Sequence, residues 1–281
     1  MRPLTGRARI AGVMGWPIAH SRSPRLHGFW LERYGIDGAY LPFPVRPEKL
    51  AEALRALPLL SLRGVNVTLP YKEAALAVVD RASEAARRIG AVNTVVVSEG
   101  GELEGSNTDG YGFLEHLKAS VPAFQAAAGP AVLLGAGGAA RAIGVSLLDA
   151  GVPELRLANR TAHRAAALAE ALGPRATPVD WTDRAAVLSG ASLLVNSSTL
   201  GMAGQPPLTL ALDDLPPDAT VYDIVYVPLE TPLLAAARAR GNPCVDGLGM
   251  LLHQARPGFA AWFGVEPAVT PELRDFVLAG M

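Results

Sequence analysis

Val132-Leu133-Leu134-Gly135-Ala136-Gly137-Gly138-Ala139-Ala140-Arg141-Ala142 is the stretch that decides the fold of this chain. Its apolar start predicts a buried strand, and the alanine-rich run 139–150, closed by Gly151, predicts a helix. The spacing Gly135-x-Gly137-x-x-Ala140 fits the dinucleotide-binding fingerprint, in which the glycines make the turn and admit a pyrophosphate, and the small third residue packs helix against strand. The phosphate then binds backbone N–H groups at the start of the helix. Taken alone, the motif has an alternative interpretation, which is an ordinary glycine-rich β–α turn that binds no dinucleotide.

The end of the next predicted strand, 155–158, indicates which dinucleotide the motif binds. The strand runs into Asn159-Arg160-Thr161, where an NAD site usually carries an Asp or Glu for the ribose hydroxyls, and no carboxylate stands there. Arg160 and, one helical turn on, Arg164 instead offer planar forks of donors that suit a phosphate. The alternative is that both are solvated helix charges. The position favours the phosphate and so predicts NADP as the cofactor.

The composition bounds the class of protein. With 281 residues, 50% of them hydrophobic and 18% charged, the chain suits a soluble globular protein of one large or two modest domains. A net charge of −1 gives no reason to expect nucleic acid or an anionic membrane as a partner. The single cysteine, Cys244, is assigned to packing, rules out an intramolecular disulfide and favours a reducing cytoplasm. We find no membrane-span-length apolar run, no secretory signal and no metal-ligand spacing, so we expect a cytoplasmic protein without a resident metal.

Hydroxyl side chains precede the first predicted helix. A strand at 8–14 leads through a loop to a helix at 24–34. Ser23 before Pro24 suits a helix cap, which is the structural alternative for this serine. A helix cap does not explain Ser21 in the same way. Two hydroxyl groups at the start of a helix can donate hydrogen bonds to a carboxylate. We interpret His20 beside them as structural, because nothing in the sequence pairs it with a nucleophile.

Polar residues recur where later strands end. After a strand at 39–43 and a helix at 47–57, the predicted strand 62–67 runs into Thr68. Asn66 and Thr68 alternate with apolar Val65, Val67 and Leu69, so they share one face at the carboxyl end of the strand, where α/β sheets bind ligands. Lys72 follows in the first turn of a helix, where a cation opposes the helix dipole. A surface lysine is the alternative.

A predicted hairpin adds further polar residues. The strand 91–97, which contains Asn93, turns at Gly100-Gly101 and returns over 102–105. It ends at Asn107-Thr108-Asp109, for which a turn and helix cap is the alternative. The strand ends thus gather an ammonium and a carboxylate among amides and hydroxyls. Such a set suits a polyhydroxylated, anionic small molecule.

Eight stretches, in order along the chain, match the pattern of one enzyme family. They are 17–24 (PIAHSRSP), 66–72 (NVTLPYK), 90–94 (GAVNT), 107–110 (NTDG), the glycine loop, 159–161 (NRT) with Arg164, 222–234 and 247–254 (GLGMLLHQ). On these stretches the chain resembles the shikimate dehydrogenase family across nearly its whole length. The resemblance implies reversible, NADP-dependent reduction of 3-dehydroshikimate to shikimate, in the pathway to chorismate and aromatic amino acids.

The same resemblance implies roles for individual residues. Ser21 and Ser23 hold the substrate carboxylate, and Lys72 and Asp109 are the catalytic pair. The substrate site also contains Asn66, Thr68, Asn93, Thr108, Tyr226 and Gln254, of which Thr68, Asn93 and Gln254, with the catalytic pair, hold ring hydroxyls. The cofactor site comprises Gly135, Ala136, Gly137, Gly138, Ala139, Asn159, Arg160, Thr161, Arg164, Ser198, Gly247 and Met250, with Ser198 where similar proteins often carry threonine.

The expected architecture is α/β, with two domains separated by a cleft. Residues 1–109 and 247–281 form an N-terminal α/β substrate-binding domain. Residues 110–246 form a Rossmann-type, doubly wound NADP-binding domain with helix-ending glycines at Gly151, Gly173, Gly190 and Gly241. The chain departs from the family at Pro257-Gly258, which predicts a kink or break in the closing helix that carries Gln254. We expect a small-molecule substrate, neither nucleic acid nor membrane as a partner, and a monomer or homodimer.

Two alternatives for the function stay open. One is a sister activity on quinate or an aminoshikimate-like substrate, because pocket shape decides whether one hydroxyl more or less is accepted. The other is a catalytically idle NADP-binding sensor. The presence of both Lys72 and Asp109 argues against the sensor, since a binding-only module has no need of the pair.

Overall fold

The computed structural model describes residues 3–68 and 70–279, and Leu69, predicted on the apolar face of a strand, lies outside them. The described chain forms two compact units. Unit 1 comprises the residues up to Thr108 and those from Gln254 onward, and unit 2 comprises Asp109–His253. Each unit has its own sheet with helices around it. Within the described residues, no helix is both long and apolar enough to cross a membrane.

The secondary structure alternates between strands and helices along most of the chain. The strands are β1 Arg9–Gly15, β2 Gly38–Pro44, β3 Gly64–Val67, β4 Arg81–Ala82, β5 Thr94–Val97, β6 Leu103–Ser106, β7 Ala131–Leu134, β8 Leu155–Ala158, β9 Ala176–Val179, β10 Leu193–Asn196, β11 Thr220–Asp223 and β12 Cys244–Val245. The helices are α1 Ser23–Arg33, α2 Leu50–Ala56, α3 Lys72–Val78, α4 Glu84–Ile89, α5 Asp109–Ser120, α6 Gly138–Asp149, α7 Ala162–Leu172, α8 Pro232–Ala239, α9 Leu248–Phe263 and α10 Pro271–Leu278.

The sheet of unit 1 is mixed. Its described strands lie in the order β2-β1-β3-β5-β6-β4, with β1 parallel to both β2 and β3. The predicted hairpin is confirmed, because β5 pairs antiparallel with β6, and Gly101 in the turn has a φ of 81°, which glycine adopts without strain. Strand β5 also runs antiparallel to β3, so its amino end lies at the carboxyl end of β3. This reversal brings residues that precede β5 to the same edge as residues that follow β3.

Part of the core of unit 1 is an aromatic cluster formed by His27, Trp30, Tyr40, Phe259 and Trp262. All five side chains are buried, and the polar atoms of the two tryptophans and of Tyr40 have hydrogen-bond partners inside the protein. The indole N–H of Trp30 donates to the carbonyl of Ala268 (2.9 Å), and that of Trp262 donates to the carbonyl of Val95 (3.1 Å). The cluster therefore ties α1, β2 and the second half of α9 together.

Helix α9 continues through Pro257, so the predicted break is wrong, while the kink that the sequence predicts as the other outcome stays a prediction. A proline inside a helix costs roughly 3 kcal/mol, because it removes one hydrogen bond and crowds the preceding turn. Beyond the proline, α9 buries Phe259, Trp262 and Phe263. Burial of each such side chain contributes roughly 1.5–3 kcal/mol, so together they outweigh the cost of the proline. Gln254 consequently lies within the continuous helix α9.

Unit 2 contains a parallel sheet whose described strands lie in the order β12-β11-β10-β7-β8-β9. This is the doubly wound order, and β7 is the strand at which the order reverses. Ligands of such sheets bind at the carboxyl ends of the strands beside that point, where Gly135 follows β7. The predicted α/β fold with a Rossmann-type second half is confirmed. Among the predicted helix-ending glycines, Gly190 is an error, because it follows a short 3-10 turn at Ala186–Leu188 instead of an α-helix.

Close packing of α5 against α6 depends on Gly110. A Cβ at this position would lie 1.8 Å from Oγ of Ser146 and 2.8 Å from the carbonyl oxygen of Ala142. The serine can rotate but the carbonyl cannot, so Gly110→Ala is expected to lower the free energy of unfolding by about 1–3 kcal/mol. Calorimetric or urea unfolding measures this change. Gly28→Ala is the matched control, because no atom lies within 4 Å of the added methyl and alanine favours a helix by roughly 0.5–1 kcal/mol. Equal stabilities of Gly110→Ala and wild type would contradict the packing argument.

Candidate active site

The polar residues of unit 1 meet at one edge of its sheet because of strand direction. Strand β3 ends at Val67, whose N–H donates to the carbonyl of Asn93 (2.8 Å) just before β5 begins. The N–H of Asn93 donates in turn to the carbonyl of Ser106 (3.0 Å) at the end of β6. The sequence predicts that Asn93 lies inside a strand. In the structure it lies just before the amino end of β5, which runs antiparallel to β3. It still reaches the expected edge.

Asn93 is the centre of a buried hydrogen-bond network. Its Oδ1 accepts from the N–H of Thr108 (2.9 Å), from Oγ1 of Thr94 (2.9 Å) and from Oγ1 of Thr108 (3.2 Å). Oγ1 of Thr108 also lies 3.5 Å from Oε1 of Gln254. Asn93, Thr94 and Thr108 are all at most 5% exposed. The Asn93 oxygen thus accepts from three donors, and the amide NH₂ is the donor end of the side chain.

Asn66 belongs to the same network. Its Nδ2 donates to the carbonyl of Asn93 and to Oγ1 of Thr94, both at 3.1 Å, which uses both of its amide hydrogens. Its Oδ1 accepts from the hydroxyl of Tyr40 at 2.6 Å. Only the second lone pair of that oxygen is left for a ligand. The geometry thus makes Asn66 chiefly a support for Asn93 and Thr94.

The structure corrects the role of one of the two serines at the start of α1. Helix α1 begins at Ser23 itself, Arg22 is the capping residue and no side chain caps the helix, so the cap interpretation of Ser23 is wrong. Instead, Oγ of Ser21 accepts from the N–H of Ser23 (3.3 Å), and the Ser23 side chain hydrogen-bonds to the Tyr40 hydroxyl. Burial raises the pKa of Tyr40, and the bond from Ser23 partly opposes that rise. Ser21 precedes α1 and Ser23 is its first residue, so both serines stand at the N-terminus of this helix, where the sequence predicts that a carboxylate binds.

The proposed catalytic residues each begin a helix. Lys72 is the first residue of α3, and its carbonyl accepts from the N–H of Val92 (2.8 Å), next to Asn93. The Lys72 side chain is half-buried, and Thr68 precedes it with a half-buried hydroxyl. Asp109 is the first residue of α5, is 7% exposed and directly follows Thr108 of the network. Tyr226, three residues after β11 in unit 2, is also half-buried.

Two residues of this network were missed in the sequence. Tyr40 contacts both Ser23 and Asn66, and the hydroxyl of Thr94 bridges Asn66 and Asn93. For Tyr40, the available signal is a tyrosine in an otherwise apolar strand, since a buried tyrosine hydroxyl needs a hydrogen-bond partner. Thr94 carries no comparable signal, because threonine is common in strands for its branched side chain alone.

In unit 2, the glycine loop has the geometry that a dinucleotide requires. Gly135 has a φ of 115°, and a Cβ there would lie 2.7 Å from Oγ of Ser197, so the turn requires glycine. At Gly137 and Gly138, where α6 begins, a Cβ would meet no atom within 4 Å, which leaves open space in front of the helix N-terminus. Ala140 is fully buried against the core, as the fingerprint predicts. Ala136 and Ala139 flank this space with half-buried side chains. These residues fit the pyrophosphate of a dinucleotide.

Two arginines follow the end of β8, and their guanidinium groups have no side-chain acceptor among the described residues. Arg160 and Arg164 are exposed, and neither guanidinium has an ion pair or side-chain hydrogen bond with a described residue. Asn159 Nδ2 donates to the carbonyl of Thr161 (2.9 Å), and Thr161 precedes α7 without capping it through its side chain. Two guanidinium groups at a helix N-terminus suit a phosphate group. This arrangement fits the additional phosphate that distinguishes NADP from NAD.

Three further predicted cofactor residues have structural roles that are visible in unit 2. Ser198 Oγ donates to Oδ1 of Asn196 (2.7 Å), and a Cβ on Gly135 would lie 3.2 Å from the Ser198 nitrogen, so this serine borders the glycine loop. A Cβ on Gly247 would lie 2.0 Å from the carbonyl oxygen of Ile224, which explains the glycine through close backbone approach. Met250 is 9% exposed and belongs mainly to the core.

A buried carboxylate supports the end of β10. Oδ1 of Asp223 accepts from Nδ2 of Asn196 (2.9 Å) and from the N–H of Val225 (3.0 Å), and its Oδ2 accepts from Oγ1 of Thr231 (2.7 Å). Burial raises the pKa of Asp223, and these three hydrogen bonds oppose the rise. Because Asn196 also binds Ser198, the carboxylate holds the loop beside Gly135 in place.

Comparisons with known proteins agree with this geometry. A family model described as the shikimate dehydrogenase substrate binding domain matches residues 13–95. The shikimate dehydrogenase (NADP(+)) of Paramagnetospirillum magneticum is 61% identical over 276 residues, which cover 98% of this chain and 100% of the relative.

Solved structures extend the comparison to the fold. Shikimate 5-dehydrogenase from Thermus thermophilus, in complex with NADP(H) and shikimate, has a TM-score of 0.85 and 41% identity over 97% of this chain and 100% of that chain. Quinate dehydrogenase from Corynebacterium glutamicum, in complex with NAD, has a TM-score of 0.90 and 33% identity over 97% and 99% of the two chains. On the identity and coverage of these relatives, the chain belongs to the shikimate dehydrogenase family.

Proposed function

We propose that this chain catalyses the reversible, NADP-dependent reduction of 3-dehydroshikimate to shikimate. The observation that carries the proposal is the buried network around Asn93, at the edge of the sheet where α3 begins with Lys72. A ring that bears several hydroxyls and one carboxylate offers the complementary donors and acceptors. The 61% identical relative, a shikimate dehydrogenase (NADP(+)), supports the same conclusion.

The proposed division of labour follows the two halves of the chain. Residues 1–109 with 247–281 bind the substrate, and residues 110–246 bind NADP. The network of unit 1 and the glycine loop of unit 2 support this assignment. We also propose a cytoplasmic location and a monomeric or homodimeric state, the first supported by the single cysteine, Cys244.

Within this proposal, the substrate is held at both ends. The hydroxyls of Ser21 and Ser23 donate to the carboxylate, and Thr68, Asn93 and Gln254 bind ring hydroxyls. Thr108 supports Asn93, and Tyr226 is the remaining residue that we assign to substrate binding. Unit 2 would hold NADP through the N–H groups at the start of α6 and through the guanidinium groups of Arg160 and Arg164. When bound, the cofactor supplies the hydride that reduces the keto carbon.

Lys72 and Asp109 divide the acid–base work. As the keto group is reduced, negative charge develops on its oxygen, and the Lys72 ammonium both stabilises that charge and donates a proton to it. In the reverse direction the Lys72 amine accepts the proton of the hydroxyl. A carboxylate is a poor proton donor at neutral pH, so Asp109 orients the lysine and the reacting hydroxyl instead.

Spectrophotometric turnover of shikimate and of quinate, each with NADP and with NAD, tests the proposed function. We expect shikimate with NADP to give the highest kcat/KM, because Ser21 and Ser23 are small and leave a pocket of the kind expected for shikimate. Equal turnover of shikimate and quinate would assign the chain to the alternative activity on quinate. The similarity to quinate dehydrogenase is the reason to include quinate in the test. Binding of NADP with no turnover of either substrate would identify the chain as a sensor.

Ser21→Ala is expected to raise KM for shikimate with little change in kcat. The carboxylate is remote from the reacting carbon, so its contacts contribute equally in the ground state and the transition state. Initial-rate kinetics at saturating NADP measure both constants. Ser98→Ala is the control, because Ser98 also accepts one backbone N–H, that of Glu102 (3.1 Å), but lies just beyond the opposite end of β5. A fall in kcat at unchanged KM would place Ser21 at the reacting carbon.

A further inference from the structure

His116 is a buried residue of α5, 8% exposed, to which the proposed function gives no task. We infer that it is a positioning residue for the cofactor site: its imidazole seats the first turn of α9, and with it Gly247 and Met250, at the carboxyl ends of β11 and β12. The inference rests on the proposed function, which assigns Gly247 and Met250 to the NADP site. It is carried by contacts within unit 2.

The His116 imidazole lies directly against Gly249, in the first turn of α9. A Cβ on Gly249 would be 2.0 Å from Cδ2, 2.1 Å from Nε2 and 2.4 Å from Cε1 of the ring. Real Cβ atoms do not come this close to another heavy atom, so the ring and the helix backbone can touch only because Gly249 has no side chain. The ring therefore sets how closely the start of α9 approaches α5.

Tyr222 of β11 fixes the imidazole in this position. Its hydroxyl oxygen lies 2.8 Å from Nδ1 of His116, and the two groups share one hydrogen bond whichever of them donates. The Tyr222 ring is fully buried and stacks on Phe113 of α5, with 4.5 Å between the ring centroids. Burial raises the pKa of Tyr222, and the negative charge of Asp246 raises it further, so the hydroxyl stays protonated at neutral pH. The imidazole is thus tied to the sheet as well as to its own helix.

The first turn of α9 lies where this kind of sheet binds its ligand. Strand β12 runs parallel to β11, and α9 begins three residues after β12 ends. Open α/β sheets bind dinucleotides at the carboxyl ends of their strands. Met250 is packed in the apolar core of unit 2, and Gly247 approaches the carbonyl of Ile224, just after β11. Because His116 contacts Gly249, which lies between these two residues, displacement of this contact moves both.

Gly249→Ala is expected to lower kcat/KM for NADP by about 10–10²-fold, because a shift of about 1 Å in a positioned group costs up to that factor. The added methyl must displace either the His116 ring or the first turn of α9. The Kd for NADP, measured by calorimetric titration without substrate, is expected to rise as well. The Kd for shikimate without cofactor should change less than about twofold, because the substitution lies in unit 2.

His116→Ala tests the steric contact itself. Alone, it should raise the Kd for NADP, because the first turn of α9 loses the ring against which it is seated. In the His116→Ala background, Gly249→Ala should add little further, since the methyl no longer meets the ring. A wild-type Kd in His116→Ala, or an equal effect of Gly249→Ala in both backgrounds, would overturn the inference.

Tyr222→Phe tests the hydrogen bond and retains the stacking on Phe113. The imidazole then lacks one of the contacts that fix it, and ordering one side chain on binding corresponds to a rise of about 2–10-fold in the Kd for NADP. Gly144→Ala is the matched control, because its methyl would lie 2.8 Å from Cδ1 of Leu172, the last residue of α7, away from β11 and β12. It should lower the melting temperature and leave the Kd for NADP unchanged.

Circular dichroism and melting temperatures show whether each variant is folded, and Tyr222→Phe decides the test if Gly249→Ala does not fold. If Gly249→Ala behaves like Gly144→Ala, with a lower melting temperature and a wild-type Kd for NADP, His116 is a core residue only and the inference fails. The proposed function stands in that case, provided that wild type turns over shikimate. If wild type binds NADP without using shikimate, the proposed function fails, and the Kd values for NADP still decide the role of His116.

Discussion

Lys72→Ala is expected to lower kcat by about 10²–10⁴-fold, the range for loss of a general acid–base group, with a smaller change in KM. The only other charged group proposed at the reacting centre is Asp109, which cannot donate a proton as a carboxylate. The Lys72 backbone remains in place without the amine, because its contact with Val92 is made by the carbonyl. The expected loss of kcat therefore measures the contribution of the Lys72 side chain. Steady-state kinetics in both reaction directions measure it.

A second substitution separates the two tasks of Lys72. Lys72→Arg keeps a positive charge, but a guanidinium does not release its proton at accessible pH. We expect kcat to stay low in Lys72→Arg if proton transfer limits the reaction. Lys49→Ala is the control: Lys49 is exposed and pairs with Glu52 at 2.7 Å, so only a surface ion pair is lost. A Lys72→Ala enzyme with nearly wild-type kcat and a raised KM would make Lys72 a substrate anchor.

Asp109 is expected to act with Lys72 as a unit. Asp109→Asn should lower kcat as well, because the amide holds the lysine less strongly. The double variant should lose much less than the product of the two single losses, since each single change already disables the pair. Independent effects that multiply would show that Asp109 acts on the substrate without Lys72.

The features that the sequence predicts well are those with a local physical cause. Gly135 needs a left-handed φ and close contact with Ser197, and Ala140 must be small to be buried, so the fingerprint is legible without any long-range contact. The alternation of strands and helices likewise has a local physical cause. Lys72 at the first position of α3 also follows from local pattern.

The features that could not be predicted depend on residues far apart in the chain. Asn93 reaches the edge of the sheet because β5 runs antiparallel to β3, which sequence pattern alone does not determine. Ser23 looks like a helix cap, but its true partner is Tyr40, which lies on β2. Pro257 breaks an isolated helix, whereas here aromatic packing beyond it keeps α9 continuous. In each case a tertiary contact outweighs a local preference.

The cofactor preference provides the second large effect. Changing both Arg160 and Arg164 to alanine is expected to raise KM for NADP by about 10²-fold or more, while KM for NAD changes little. A hydrogen bond to a charged group contributes roughly 1.5–3 kcal/mol, and exposure of both arginines places the value near the lower end. Neither guanidinium is engaged within the described residues, so a phosphate would meet donors that need not first be freed.

Salt dependence and a matched variant make this test specific. Because the pairing is exposed, the preference of the wild type for NADP should shrink as ionic strength rises, and the double variant should show no such dependence. Arg238→Ala is the control, since Arg238 is an exposed arginine of unit 2 that pairs only with Glu230 (3.1 Å) in the described structure. A double variant that still prefers NADP would move recognition of the phosphate away from the end of β8. Thr161, whose hydroxyl does not cap α7, would then be the first donor to test, because it stands at the same helix N-terminus.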